Sequence, residues 1–248
     1  MRNIVIGVRV VAAALLLSGC ASEKNTGAEA VKRNTAAFER AMAANDFEAM
    51  TRLAAAHAGR MNAVECMGDA INPDWTPGFN ARHTIRVLEL LIKHGGDVNG
   101  RVSMGPRDTW YSTPLLRPAL LLRRLDVARF LLEQGADPNA SALLLGERES
   151  YHPILALFAG EGELESVRFL VENGADIEIS DNRKRTALWL AADRNRFEVA
   201  RFLVENGADV RTRDSENKTP ADAAREKGHT RVYDYLKAQP PAVLNSIL

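Results

Sequence analysis

Apolar residues return at helical spacing from Thr35 onward: Ala37, Phe38, Ala41 and Met42, then, past the polar pair Asn45 and Asp46, Phe47, Met50, Leu53 and Ala54. Two amphipathic runs separated in this way predict a helical hairpin. Further along, one mixed string recurs. Phe169 to Asp176 reads Phe-Leu-Val-Glu-Asn-Gly-Ala-Asp, Phe202 to Asp209 repeats it, Phe130 to Asp137 reads Phe-Leu-Leu-Glu-Gln-Gly-Ala-Asp, and a worn copy runs from Leu90 to Asp97. Such recurrence predicts a repeat array, in which each unit buries its apolar face on its neighbours and the whole presents one long surface suited to binding. The expected fold is all-α: a solenoid of stacked helical hairpins with finger loops, five pairs plus a sixth as an amino-terminal cap.

The units themselves carry a resemblance. Arg185 to Ala192 reads Arg-Thr-Ala-Leu-Trp-Leu-Ala-Ala and is followed by Phe197 to Leu203 and Asn206 to Asp209; this stretch resembles an ankyrin repeat. So does Lys218 to Ala224 with Lys227, Gly228, His229, Tyr235 and Leu236. Thr186 and Thr219 are then the expected helix-capping threonines, and Pro220 suits the first helical position. Gly174 and Gly207 follow the second helix of a pair, where glycine enters a left-handed stop without strain. The array spans 35–238; the resemblance is closest over 149–238, looser over 109–148 and faintest over 35–108. Pro114 and Pro153 stand where the family pattern has threonine, although Leu116 and Leu155 keep its buried leucine. Asn72 to Gly78 contains two prolines and is no helix, which leaves Met61 to Ile71 as a first helix and an inserted loop before Arg82. At the other end Pro240 and Pro241 stop the last helix, so 239–248 reads as a tail.

Spacing locates what is particular to this chain. Asp97, Asp137, Asp176 and Asp209 are 40, 39 and 33 residues apart. The last interval equals the repeat period of about 33, so the surplus in the first two is expected in enlarged finger loops, Gly100 to Thr109 and Ser141 to Arg148. Met104, Trp110 and Tyr111 lie in or beside the first loop and Leu143, Leu144 and Leu145 in the second. Large apolar groups at such tips contact either the protein's own body or a partner.

Ahead of the array, Arg2 and Arg9 precede an apolar run from Val10 to Leu17, too short to cross a bilayer as a helix of about 20 residues. It reads as a signal peptide over 1–19. Leu17-Ser18-Gly19-Cys20 resembles the lipobox of bacterial lipoproteins, which implies lipidation of Cys20 and anchoring of the protein through acyl chains. No Asp follows Cys20, and the expected location is the periplasmic face of an outer membrane. Polar residues from Cys20 to Asn34 are expected to form a flexible tether.

Charge and chemistry narrow the function further. The chain has 32 Lys and Arg against 32 Asp and Glu, and loss of Arg2 and Arg9 with the signal peptide leaves 30 against 32, a formal charge of −2. No basic run is long enough to neutralise a row of phosphates, so no nucleic acid is expected as partner. Neither a nucleophile elbow, a zinc-protease motif, a Cys-x-x-Cys pair nor a phosphate-binding glycine loop occurs, and no catalytic residue, metal or cofactor is expected. His57, His83, His94, His152 and His229 are scattered, Glu161, Glu163 and Glu165 read as a solvated acidic face, and Cys66 reads as a buried small apolar residue.

The resemblance implies that a protein partner binds on the finger loops and the exposed inner face of the first helices. By position these are Trp110, Tyr111 and Thr113 in one unit; Glu149, Ser150 and His152 in the next; Asn182, Arg183, Arg185 and Asp193 in the third; and Ser215, Glu216 and Lys218 in the last. Aromatic and arginine side chains most often dominate interface energy, which singles out Trp110, Tyr111, Arg183 and Arg185. Trp189 is expected to pack between repeats. Two roles fit a lipid-anchored binding array: an inhibitor or immunity protein against a toxin acting in the periplasm, or an envelope scaffold or chaperone-like adaptor.

Overall fold

The computed structural model describes residues 24–59, 61–72, 80–104, 111–144 and 150–239. The chain divides into two compact units, Met1–Ala136 and Asp137–Leu248. The first contains α1 (Lys24–Ala43), α2 (Phe47–Ala56), α3 (Ala63–Ile71), α4 (Ala81–Lys93), a hairpin of β1 (Arg101–Met104) and β2 (Tyr111–Pro114), then α5 (Leu116–Leu121) and α6 (Leu125–Glu133). In the second, a hairpin of β3 (Ser141–Leu144) and β4 (Ser150–Pro153) precedes α7 (Ile154–Glu161), α8 (Leu164–Glu172), α9 (Ala187–Asp193), α10 (Phe197–Glu205), α11 (Pro220–Glu226) and α12 (Thr230–Ala238). The helices pair in sequence. Within each unit first helices stack on first helices and second on second: α1 on α3 and α3 on α5, then α7 on α9 and α9 on α11.

The repeated string is buried alike in its three close copies. Phe130, Phe169 and Phe202 are 8, 6 and 7% exposed and Leu131, Leu170 and Leu203 are all fully buried, so the same side chains make the same contacts each time. Gly135, Gly174 and Gly207 then turn left-handed with φ near +90°, a conformation that costs glycine nothing. The aspartate two residues on accepts the backbone N–H of its own i+2 neighbour, at 2.8 to 2.9 Å, in all four copies: Asn99, Asn139, Glu178 and Arg211 are the donors. Three of those +2 side chains reach on to the next repeat. Asn99 donates to Gly135 O, Asn139 accepts from Asp176 N, and Glu178 accepts from Asp209 N.

First helices begin as the threonines dictate. Thr186 accepts from Trp189 N at 3.3 Å, and Thr219 forms a reciprocal box with Asp222. α7 starts behind Pro153 without a side-chain cap, as the substitution of the usual threonine requires.

One expectation needs correction. Residues 24–34 are not a flexible tether but the first turns of α1. Phe38, Ala41 and Met42 anchor that helix by burial, and Ala, Glu, Lys and Arg extend an existing helix at little cost even where no apolar face demands it. The enlarged fingers lie where the spacing puts them and carry antiparallel strand pairs, with Val102 opposite Thr113 in one and Ala142 opposite His152 in the other. Cys20, the signal peptide and the tail beyond Gln239 lie outside the described residues. Among the described residues no helix is long and apolar enough to cross a membrane.

Candidate protein-binding site

Two fingers of the second unit are built on buried aspartates. Asp181 accepts the backbone N–H groups of Arg183 and Arg185 at 2.8 and 2.9 Å, and 33 residues later Asp214 accepts those of Glu216 and Lys218, both at 2.9 Å. Each carboxylate thereby folds its tip around one left-handed residue, Lys184 with φ 58° and Asn217 with φ 65°. Ser215 N donates to Arg183 O at 2.8 Å and ties one finger to the next.

Between these two fingers and the first helices behind them lies a pocket of about 180 Å³. Arg183 and Arg185 come from one finger and Ser215, Glu216 and Lys218 from the next, while Trp189 and Asp193 project from α9, Glu226 from the end of α11 and Lys227 from the residue that follows it. Six of the sequence-selected residues, Arg183, Arg185, Asp193, Ser215, Glu216 and Lys218, therefore share one cavity. Lys218 Nζ lies 3.1 Å from Glu216 and 2.9 Å from Glu226, and those bonds, with Glu226 the stronger, raise its pKa above the ordinary lysine value. Lys227 Nζ lies 3.6 Å from Asp193. Arg185 sits over the Trp189 ring, 5.3 Å from its centroid.

The remaining candidates are placed differently. Asn182 is exposed beside the pocket finger. Trp110 and Glu149 lie outside the described residues; Tyr111 is described only as the backbone partner of Met104. Thr113 is fully buried and His152 is 8% exposed, so neither offers a contact surface. Strand alternation explains both: in β2 and β4 the residues opposite Val102 and Ala142 face inward. The same alternation turns Tyr151 outward, at 45% exposure, a residue the sequence reading passed over. Asp181 and Asp214 were also missed, though their 33-residue interval, five residues before each capping threonine, was there to be read.

Ser150 Oγ lies 2.7 Å from His152 Nε2, and His152 Nδ1 lies 3.3 Å from Asp181 Oδ2. The order imitates a serine triad, but the setting serves structure. Asp181 Oδ2 already receives Nε and Nη2 of Arg185 at 2.8 and 2.7 Å, so the guanidinium already neutralises the carboxylate that His152 faces. Burial alone would raise the Asp181 pKa; His152, then the side chain, N–H and charge of Arg185, hold it well below the carboxylate range. Cys66 is buried in α3, and burial, then the charges of Glu39, Asp69 and Glu65, push its thiol far above the ordinary range.

Comparison with known proteins agrees with this geometry. The model of ankyrin repeats, three copies, matches residues 150–245. Over 150 residues, 60% of this chain, the sequence is 31% identical to an ankyrin repeat and KH domain-containing protein of Caenorhabditis briggsae, and equally to the ankyrin repeat and KH domain-containing protein mask-1 of Caenorhabditis elegans. The chain covers only 5% of the length of either relative. Repeats of this kind are protein-interaction modules rather than catalytic ones. With threonine caps, left-handed glycines and paired helices recurring at the matched residues, residues 150–245 carry ankyrin repeats.

Proposed function

We propose that this protein is held at a bacterial envelope membrane through Cys20 and captures one protein partner on the fingers of its second unit, acting as an inhibitor of a toxic enzyme that enters the periplasm. The observation that carries the binding surface is the pocket, in which side chains from two fingers and two first helices converge. Tyr151, exposed on the outer face of β4, extends the same kind of surface to the preceding finger. Lipid anchoring and periplasmic exposure are supported by the apolar run from Val10 to Leu17 and by Leu17-Ser18-Gly19-Cys20. The inhibitor role is supported by the two enlarged fingers: paired strands inserted into a compact repeat suit the occlusion of a cleft better than a flat docking strip does.

Affinity capture from envelope extract and from secreted proteins, with the full chain as bait, tests the proposal. A single secreted hydrolase or pore-former whose activity is blocked by the chain supports the inhibitor; recovery of resident envelope proteins, with no activity blocked, replaces it with a scaffold. Fractionation of a Cys20→Ala variant tests the anchor: the variant should leave the membrane or stall in processing, and unchanged membrane attachment would refute lipidation.

A further inference from the structure

The two aspartate-built fingers differ in their counter-charge. Asp181 and Asp214, 33 residues apart, each use Oδ1 to accept the N–H groups two and four residues on. Asp181 Oδ2 then accepts from the guanidinium of Arg185, four residues on, through Nε and Nη2. The residue in that place after Asp214 is Lys218, and it turns elsewhere: its Nζ lies 3.1 Å from Glu216 and 2.9 Å from Glu226. Among the described residues no cation pairs with Asp214 and no donor reaches its Oδ2, although the residue is only 8% exposed and lines the pocket. A carboxylate so far withdrawn from water needs a compensating charge. Its neighbours do not supply one. With Arg185 spent on Asp181, four carboxylates, Asp193, Asp214, Glu216 and Glu226, share the lining with three cations, Arg183, Lys218 and Lys227. Lys227 faces Asp193, Lys218 is divided between two glutamates, and Arg183 stands exposed at its finger tip.

We propose, resting on the protein-binding reading above, that this pocket receives the guanidinium of an arginine presented by the protein partner, which pairs with Asp214 as Arg185 pairs with Asp181. One added positive charge balances the lining, and Glu216 and Glu226, with a single lysine between them, add to the attraction. Guanidinium suits the place better than ammonium. Its planar fork offers a carboxylate several N–H donors at once, as Arg185 does at Asp181, and it sheds its water at less cost on entering a partly buried site.

The test follows the backbone N–H resonance of Glu216, one of the two donors to Asp214, in the ¹⁵N-labelled full chain. The probes are a blocked pentapeptide, N-acetyl-Ala-Ala-Arg-Ala-Ala-amide, and its Lys and Gln counterparts. The Arg peptide should shift the resonance saturably, the Lys peptide should bind more weakly, and the Gln peptide should leave the resonance in place. Asp214→Asn keeps an oxygen for the two N–H groups but removes the charge, and should weaken the Arg peptide at least about tenfold. Lys218→Arg leaves Asp214 intact and puts a guanidinium where the other finger has one; by filling the site from within the chain it should weaken the Arg peptide as well. No response to the Arg peptide, an equal response to the Lys or Gln peptide, or undiminished binding by either variant would overturn the assignment. Failure here is separable from failure of the protein-binding reading. A partner captured by the chain and retained equally by Asp214→Asn would discard the arginine pocket alone, whereas a pocket that answers the Arg peptide in a chain that captures no partner would discard the wider reading.

Discussion

Arg185 grips Asp181 through two nitrogens, Nε at 2.8 Å and Nη2 at 2.7 Å, and the carboxylate it grips is all but sealed from water. The same guanidinium covers the Trp189 ring. One side chain thus neutralises the aspartate that folds the finger and packs the helix behind it. Arg185→Ala should cost about 3 kcal/mol, because it strands a buried charge. Arg185→Lys should recover part of this, lacking the second nitrogen and the flat stacking face. Urea denaturation reads both; an unchanged midpoint for Arg185→Ala would show that the backbone N–H groups suffice.

Asp181 also sets an acid limit. Its pKa is depressed in the folded state, so its stabilisation is present above the unfolded value of about 4 and is lost as pH falls below it. Denaturation midpoints followed downward from neutrality should drop for the wild type and much less for Asp181→Asn. Parallel curves for the two would rule this group out as the source.

Asp69 acts with the opposite sign. Burial in α3, then the charges of Glu39 and Glu65, raise its pKa to about 7. A raised acid favours folding while protonated, so the contribution is whole below the unfolded value and is lost as pH climbs from about 4 to about 7. Asp69→Asn should therefore stabilise the chain at pH 8 and give no gain at pH 4. A gain independent of pH would point to packing instead of charge.

The capping threonines differ in what they hold. Thr219 accepts from Asp222 N, and its own N–H and hydroxyl reach the Asp222 carboxylate. Thr186 makes a single cap bond, 3.3 Å long. Thr219→Ala should cost about 1 to 2 kcal/mol and Thr186→Ala less than about 1 kcal/mol, by thermal or chemical denaturation. The reverse order would contradict the roles assigned to the two caps.

Tyr151 separates binding from folding. With 45% of its surface exposed, Tyr151→Ala should shift stability by no more than about 0.5 kcal/mol. Capture of the partner should nevertheless weaken at least about tenfold, as for an aromatic at the heart of an interface. Undiminished capture by surface plasmon resonance would remove β4 from the contact surface.

How far the sequence could be read depended on the range of the interaction. The eight-residue string, the threonine caps and the glycine stops were legible because each is local: the contact or dihedral that requires the residue lies within a few positions of it. Helical pairing followed from the same periodicity, and the buried faces of α6, α8 and α10 fall on the residues that periodicity selects. The helix over 24–34 was not legible, because its polar face lacks any period and its stability comes from the anchored turns that follow. Asp181 and Asp214 escaped notice because their one signal is a single 33-residue recurrence ahead of the capping threonines, and only their backbone donors reveal their work.

By itself, then, the sequence determined the repeat, its period, the helix termini and the positions from which a binding surface would be drawn, since short-range sterics and burial recur wherever the string recurs. The tertiary structure alone decided which of those positions meet. Whether a finger becomes a hairpin, whether its alternate residues face in like Thr113 and His152 or out like Tyr151, and whether Arg183 and Trp189 border one cavity all depend on strand register and on stacking between repeats tens of residues apart. A one-residue change of register would reverse every strand side chain without altering the composition at all.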